Sequence, residues 1–386
     1  MPPRYMERMQ RQSATYRSMF GEPPPYTSAR SRAESVESTM SADTGESQRP
    51  GKTRQPPPQY YQVGHPTAVG FDKPALPLAS LVLVTGANGW LGMHIVDQLL
   101  ERGYRVRGTM RDSDKATATA NYFSERYEPG MLTTAIVPDM ARPGAFDLAA
   151  QGCAGIIHVA SVMSYSPDPN IVIAPSIAGA INALEAAAKE PGVKRFVYCS
   201  ASAAAVSQGN GSRNEVTHES WNMASFKSAW ESGPFEADRA HAVFASILPS
   251  VLWGKMLDPG NQGFRTSCGQ LKLIFDGNAA ATAWAPPQHS VDVQDSALLH
   301  VAALVLSDVQ GQRIFAAQCP YSLTSILQLL RMLYPHKAIQ GDVSDHGIDL
   351  TVFKEAPRAE ELLKRMGRPG WTDIETSVAR NCEAFV

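Results

Sequence analysis

Cysteine is sparse in this chain. Five are scattered through 386 residues (Cys153, Cys199, Cys268, Cys319, Cys382), with no CxxC pair and no histidine at metal-ligand spacing. That excludes a zinc module or a disulfide scaffold, so no metal is expected, and reduced thiols point to a cytoplasmic protein. A charge excess of one sign is missing too. Lys and Arg number 35 against 37 Asp and Glu, a net −2, which argues against nucleic acid or an anionic membrane as the main partner. The apolar runs 80–84 and 155–163 are too short to span a bilayer, so no transmembrane helix is expected. The first residues hold no apolar signal-peptide core; Arg4, Arg8, Arg11 and Arg17 face one acid, Glu7, as in a basic tail or a presequence.

Leu, Ile and Val are almost absent from residues 1–77, where Pro, Ser, Arg, Gln and Tyr dominate. Such a stretch buries too little apolar surface to offset its ordering entropy, and a disordered tail is expected. Two PPxY strings, Pro23-Pro24-Pro25-Tyr26 and Pro57-Pro58-Gln59-Tyr60, suit docking on a WW-domain protein, because a polyproline ligand is already extended. Chance in a proline-rich tail is the alternative.

From Ser80 the texture changes to apolar runs alternating with amphipathic stretches. Strands are expected at 81–85, 105–108, 132–138, 155–160 and 195–200, and helices at 91–102, 173–189, 293–305, 323–333 and 359–366. The alternation predicts an α/β fold, a Rossmann-type doubly wound parallel sheet with a smaller mixed C-terminal region. The expected division is a tail over 1–77, a nucleotide-binding domain over 78–248 and a substrate-binding region over 249–386.

Between the first strand and first helix runs Thr85-Gly86-Ala87-Asn88-Gly89-Trp90-Leu91-Gly92. The first glycine permits a tight turn, the second lets backbone approach a pyrophosphate, and the third lets helix pack on strand. The N–H groups opening the helix, at Trp90 and Leu91, then face the phosphates. Glycine spacing alone is weak; its place between strand and helix makes it a dinucleotide grip. At the end of the second strand Arg111, with Lys115 nearby, suits the extra phosphate of NADP(H) over NAD(H), although Asp112 follows directly. Asp139 and Met140 are placed to pair with and cover the adenine, and the backbone of Val159, Ala160 and Ser161 to run along the ribose.

These features resemble the extended short-chain dehydrogenases of the NAD-dependent epimerase/dehydratase superfamily, in the fungal branch of carbonyl reductases similar to dihydroflavonol reductase. The likeness runs from Leu81 to the C-terminus and includes His158–Ser161, Val193-Lys194-Arg195-Phe196-Val197-Tyr198, Pro286-Pro287-Gln288, Val291-Asp292-Val293-Gln294-Asp295 and Gly367-Arg368-Pro369-Gly370-Trp371. It implies an NADPH-dependent ketoreductase or aldehyde reductase of specialised metabolism. It also implies a small carbonyl substrate, a homodimer, and Pro249 among the cofactor residues.

The family's reaction uses a serine, a tyrosine that passes a proton to the carbonyl oxygen, and a lysine one helical turn after the tyrosine. None of the twelve tyrosines here has a lysine four residues on. The resemblance puts the tyrosine position at Phe244, and Ala201 at the serine position, flanked by Ser200 and Ser202. The crossover before Ile247-Leu248-Pro249 is left with residues 235–245, and Asp238, Arg239 and His241 among them. Three readings follow: a reductase whose sequence has lost an internal segment, a pseudo-enzyme that holds NADP(H) as a binding module, or other chemistry by His241 with Ser202. Trp253, Phe264, Phe275, Trp284 and Tyr321 either line an apolar pocket for an aromatic or polyketide-like carbonyl or are core.

Overall fold

A computed structural model describes residues 74–163, 168–207, 213–223, 243–278, 287–343 and 347–386. The apolar run Leu81–Thr85 is strand β1. The chain continues through helix α1 (Trp90–Glu101), β2 (Arg105–Met110), α2 (Ser113–Ser124), β3 (Leu132–Ile136) and the short α3 (Asp147–Ala150). After β4 (Gly155–His158) come α4 (Pro169–Lys189), β5 (Arg195–Cys199) and the small strand β6 (Glu215–Val216). Strand β7 (Val243–Pro249) leads directly into β8 (Val251–Trp253), α5 (Pro259–Gln262) and α6 (Thr266–Phe275). Next come β9 (Gln288–Asp292), α7 (Val293–Val305), β10 (Arg313–Ala316), β11 (Cys319–Tyr321) and α8 (Leu323–Leu333). The chain closes with β12 (Val352–Phe353), α9 (Ala356–Arg365) and α10 (Ile374–Cys382).

Seven strands form one sheet in the order β10-β7-β5-β4-β1-β2-β3, with every neighbouring pair parallel. The chain moves outward from β1 to β3 and then returns to β4, so the order reverses between β1 and β4. In such a sheet ligands bind at that reversal, outside the carboxyl ends of the strands.

Side chains alternate between faces because successive Cβ atoms in a strand point oppositely. Val82 and Val84 join Ile157, Val197 and Ile247 in a core against α1 and α7, including Ile95, Leu99 and Val301. Leu83, Ile156 and Phe196 turn the other way, onto Phe146 of the segment leading into α3 and Ala183, Ala186 and Ala187 of α4. The run Asn170–Lys189, within α4, is long and apolar enough to cross a membrane by length and composition alone. Its alanine stripe packs on the sheet, as a crossover helix requires.

Two expected boundaries are redrawn. Leu76 is buried, its carbonyl accepts from the Tyr104 hydroxyl at 3.0 Å, and the Ala75 N–H reaches Val305 O; ordered packing therefore begins before residue 78. Residue 248 does not separate two bodies either, because β10 is the seventh strand of the main sheet and α7 packs on its face. What is separate is a small sheet, β11-β9-β8. Arg195 fastens α7 to the main sheet. Its buried guanidinium donates to the carbonyls of Ala303, Leu304, Leu306 and Val309 at 2.6–3.1 Å, satisfying the groups a helix C-terminus leaves open and opposing its dipole.

Candidate active site

The glycine turn sits at the carboxyl end of β1, as its sequence demands. Gly86 has φ +65, where an L side chain is strained, and an added Cβ would come within 3.1–3.2 Å of the Ala160 backbone. A Cβ on Gly92 would overlap the Gly86 carbonyl, and one on Gly89 would lie 3.1 Å from that oxygen. The Gly86 carbonyl is already used by the Gly89 N–H at 2.9 Å. Half-buried Asn88 stands in this turn. Gly89 is the N-cap of α1 and no side chain caps the helix. The N–H groups of Trp90, Leu91 and Gly92 therefore open toward the cleft, with the positive end of the dipole behind them. This bare cradle fits a dinucleotide pyrophosphate.

Two residues that sequence reasoning passed over shape the cradle. Gly108 in β2 leaves room for Ala87, since a Cβ there would stand 2.7 Å from the Ala87 methyl. Thr85 ties β1 to the end of β4: its buried Oγ1 accepts from the N–H of Val159 (3.0 Å) and Ala160 (3.1 Å). The one hydroxyl proton is then free only for His158 Nδ1, at 2.9 Å, so His158 is neutral with its proton on Nε2. Burial agrees, lowering its pKa to about 4. A polar residue closing an apolar strand just before a glycine was the signal for Thr85. Val159 and Ala160 thus spend their N–H groups on Thr85, and Ser161 beside them is exposed.

At the end of β2, Asp112 caps α2 by accepting the Lys115 N–H at 2.8 Å. Exposed Arg111 has no hydrogen bond or ion pair with any described residue. The Lys115 ammonium donates to Asn261 O at 2.5 Å. The segment after β8 reaches the grip at two further points. Trp90 Nε1 and His94 Nε2 both donate to Lys255 O, at 3.1 and 2.8 Å, and Gln262 Nε2 donates to Gly89 O at 3.4 Å. His94 is fully buried, which lowers its pKa to about 4.

Asp139 accepts from the Ala141 N–H at 2.9 Å. The Met140 thioether lies where a Cβ on Gly179 of α4 would meet it at 2.8 Å, and its carbonyl accepts from Asn182 Nδ2. Pro249 is buried at the end of β7, in register with Ala316. The Ser200 N–H bonds to Ile247 O. Ser202 is buried at the start of a short turn, and its hydroxyl has no partner among the described residues.

Phe244 requires a correction. It is the second residue of β7, in register with Phe196 and stacked on it at 5.9 Å. That is the end of the sheet opposite the glycine turn, roughly 10 Å below the carboxyl ends at about 3.3 Å per residue. Phe244 therefore does not stand where a proton donor for the cleft would stand, and residues 243–245 belong to the strand rather than to the crossover. His241, Trp284 and the PPxY strings lie outside the described residues. Trp253, Phe275 and Tyr321 are buried together in the core with residues of α6 and α8. Phe264 packs edge-on against Phe385 at 5.7 Å. No group of three or more potential metal ligands occurs among the described residues.

Residues 82–227 match the model of the NAD dependent epimerase/dehydratase family. Aldehyde reductase 2 of Sporidiobolus salmonicolor is 38% identical over 334 aligned residues, covering 80% of this chain and 96% of that protein. The aligned length exceeds the share of this chain that it occupies, so the relative has positions with no counterpart here. A ketoreductase of Aspergillus novofumigatus is 31% identical over 80% of this chain and 97% of its own. Among solved structures, yeast methylglyoxal/isovaleraldehyde reductase Gre2 complexed with NADPH superposes with a TM-score of 0.65 at 18% identity, covering 79% of this chain and 97% of that one. Gre2 of Candida albicans in complex with NADPH gives 0.66 at 22% identity, over 80% and 98%. At these identities the structures establish a common fold; with the glycine turn and the sequence relatives, they show that the chain belongs to the NAD-dependent epimerase/dehydratase family, in the branch that holds the fungal aldehyde and ketone reductases.

Proposed function

We propose that this carbonyl reductase takes NADPH in preference to NADH and acts on a small aldehyde or ketone of specialised metabolism. The observation that carries the cofactor choice is the pair at the end of β2. Asp112, the one acid placed to hold ribose hydroxyls, is committed to capping α2, while the Arg111 guanidinium is exposed and unengaged by the described residues. A carboxylate at that place would repel a 2′-phosphate, whereas a free guanidinium pairs with it in two-pronged fashion. The aldehyde reductase and ketoreductases among the relatives support the substrate class.

A bound reduced nicotinamide supplies hydride to the carbonyl carbon; the protein has to position the substrate and supply a proton to its oxygen. The turn at 86–92 holds the phosphates through backbone N–H groups. Thr85 fixes the β4 loop beside it, and the contacts to Lys255, Asn261 and Gln262 hold the C-terminal segment over the grip. Calorimetric titration tests the cofactor choice. Arg111→Ala is expected to weaken NADP+ binding by about tenfold, the loss of one charged pair, and to leave NAD+ unchanged. Equal loss for both nucleotides would remove Arg111 from phosphate recognition.

A second reading, a nucleotide-holding protein without turnover, is favoured by the absence of any tyrosine with a lysine four residues on. Transcript sequencing across codons 235–250 decides whether a segment carrying that pair belongs there. NADPH oxidation by the 386-residue chain over a panel of aldehydes and ketones would defeat this second reading.

A further inference from the structure

A buried imidazole–carboxylate pair lies outside the grip. His289 of β9 donates its Nδ1–H to Asp349 Oδ2 at 3.0 Å, with side-chain exposures of 8% and 2%. The other carboxylate oxygen accepts the N–H (3.2 Å) and the hydroxyl (2.8 Å) of Thr351. Asp349 is thereby fully occupied, and burial, which would raise its pKa, is outweighed by these hydrogen bonds from His289 and Thr351, leaving it below the usual carboxylate range. The ring is further fixed edge-on to Phe353 at 5.1 Å. With Nδ1 committed, Nε2 is the functional atom, and it has no hydrogen-bond partner among the described residues.

Strand register places His289 near the carboxyl end of the main sheet. β7 and β10 end together at Pro249 and Ala316. The Ser250 N–H bonds to Ala316 O and the Gln318 N–H to Ser290 O, so β9 begins where those two strands stop. β8 pairs with β9 from Val251 and Ser290 onward, and one step earlier Ser250 comes level with His289. The Ser250 hydroxyl is buried without a partner among the described residues. Phe353 shares a cluster with Leu248 and with Ala205 and Val206, which follow the turn opened by Ser202. His289 therefore stands by the carboxyl ends of β7 and β10, the end of the sheet at which folds of this kind bind their ligands.

We propose that His289, oriented by Asp349, is the side chain that hydrogen-bonds the oxygen of the carbonyl substrate through Nε2. The proposal rests on the reductase reading above. A base held by a carboxylate on one nitrogen and open on the other is the arrangement that proton transfer requires. In its imidazolium form the ring gives the Nε2 proton to that oxygen: the O–H bond forms as the N–H bond breaks, and the ring regains a proton from water.

The test uses the full chain with 13C-labelled histidine, its His289 ring resonances assigned through bonds, and acetophenone as the probe. The His289 signals are expected to shift on adding the probe. His289→Gln is expected to bind it about tenfold more weakly, the cost of one lost hydrogen bond to a charged or polar partner. Asp349→Asn should also weaken the probe, while both variants keep nucleotide binding. Resonances unmoved at saturating probe, or wild-type affinity in His289→Gln, would overturn the assignment. Nucleotide titration of the unmodified chain is read separately. Its failure would count against the cofactor reading, whereas an unmoved His289 in a nucleotide-binding protein counts against this one alone.

Discussion

At the residue scale, each glycine of the grip carries a different burden. Gly89 has φ −72 and ψ 165, a backbone that any residue adopts. Its missing side chain therefore serves the approach of a ligand more than the fold. Gly92 is the reverse, because its Cβ would overlap the Gly86 carbonyl. Gly89→Ala is accordingly expected to lose nucleotide affinity by about tenfold or more with Tm changed by less than about 3 °C. Gly92→Ala should lower Tm itself. Thermal melts with and without nucleotide separate the two. Equal losses of Tm would mean that both glycines serve packing alone.

The same scale shows where sequence reading stopped. The pattern Gly86, Gly89, Gly92 is local in the chain, so its task was legible. The partners of Thr85 lie 73 to 75 residues away, and a lone threonine before a glycine does not announce them. Asp112 was ambiguous in sequence because an acid after an arginine reads equally as a ribose ligand or a helix cap. The Lys115 N–H three residues on decides for the cap.

At the scale of elements, two apolar helices were legible to the residue: Val293–Val305, buried on every side, and the amphipathic Leu323–Leu333 are as expected. Position within the fold was not. The first residues of β7 read as the tail of a crossover because Val243 and Phe244 precede the apolar core of the strand, and only pairing with Arg195 and Phe196 extends it backward. Nor does periodicity reveal that α7 returns to the main sheet. Arg195, which is 3% exposed, ties it there through four carbonyls at and just beyond the end of α7. Arg195→Met keeps the bulk but strands those acceptors. At about 1–3 kcal/mol for each buried unsatisfied group, partly relieved by relaxation, we expect a loss of about 3 kcal/mol in urea unfolding. A loss below about 1 kcal/mol would show that the cap is dispensable.

At the scale of the whole molecule, a buried carboxylate joins the ends of the C-terminal region. Asp295 of α7 accepts the Thr372 N–H at 2.6 Å and faces Arg368 at 3.7 Å. Burial first, and then the neighbouring Asp292, raises its pKa to about 6. The folded value lies above the unfolded one of about 3.8, so this group favours the fold most in acid, and that contribution is lost as pH rises through 6. Asp295→Asn removes the dependence. Relative to the wild type, the variant should gain about 1–2 kcal/mol between pH 5 and pH 8, at about 1.4 kcal/mol per pKa unit. Denaturant melts at the two pH values measure this, and a difference that stays flat would refute the raised carboxyl.

Sheet order, the glycine turn, the Asp112 cap and the contacts of Lys255 and Gln262 converge on one claim: the turn at 86–92 holds a nicotinamide dinucleotide, whichever group delivers the proton. Calorimetric titration of the full 386-residue chain with NADPH tests this most directly. We predict saturable one-to-one binding, abolished or much weakened in Gly89→Ala. Absence of binding at millimolar NADPH and NADH by a folded chain would contradict it.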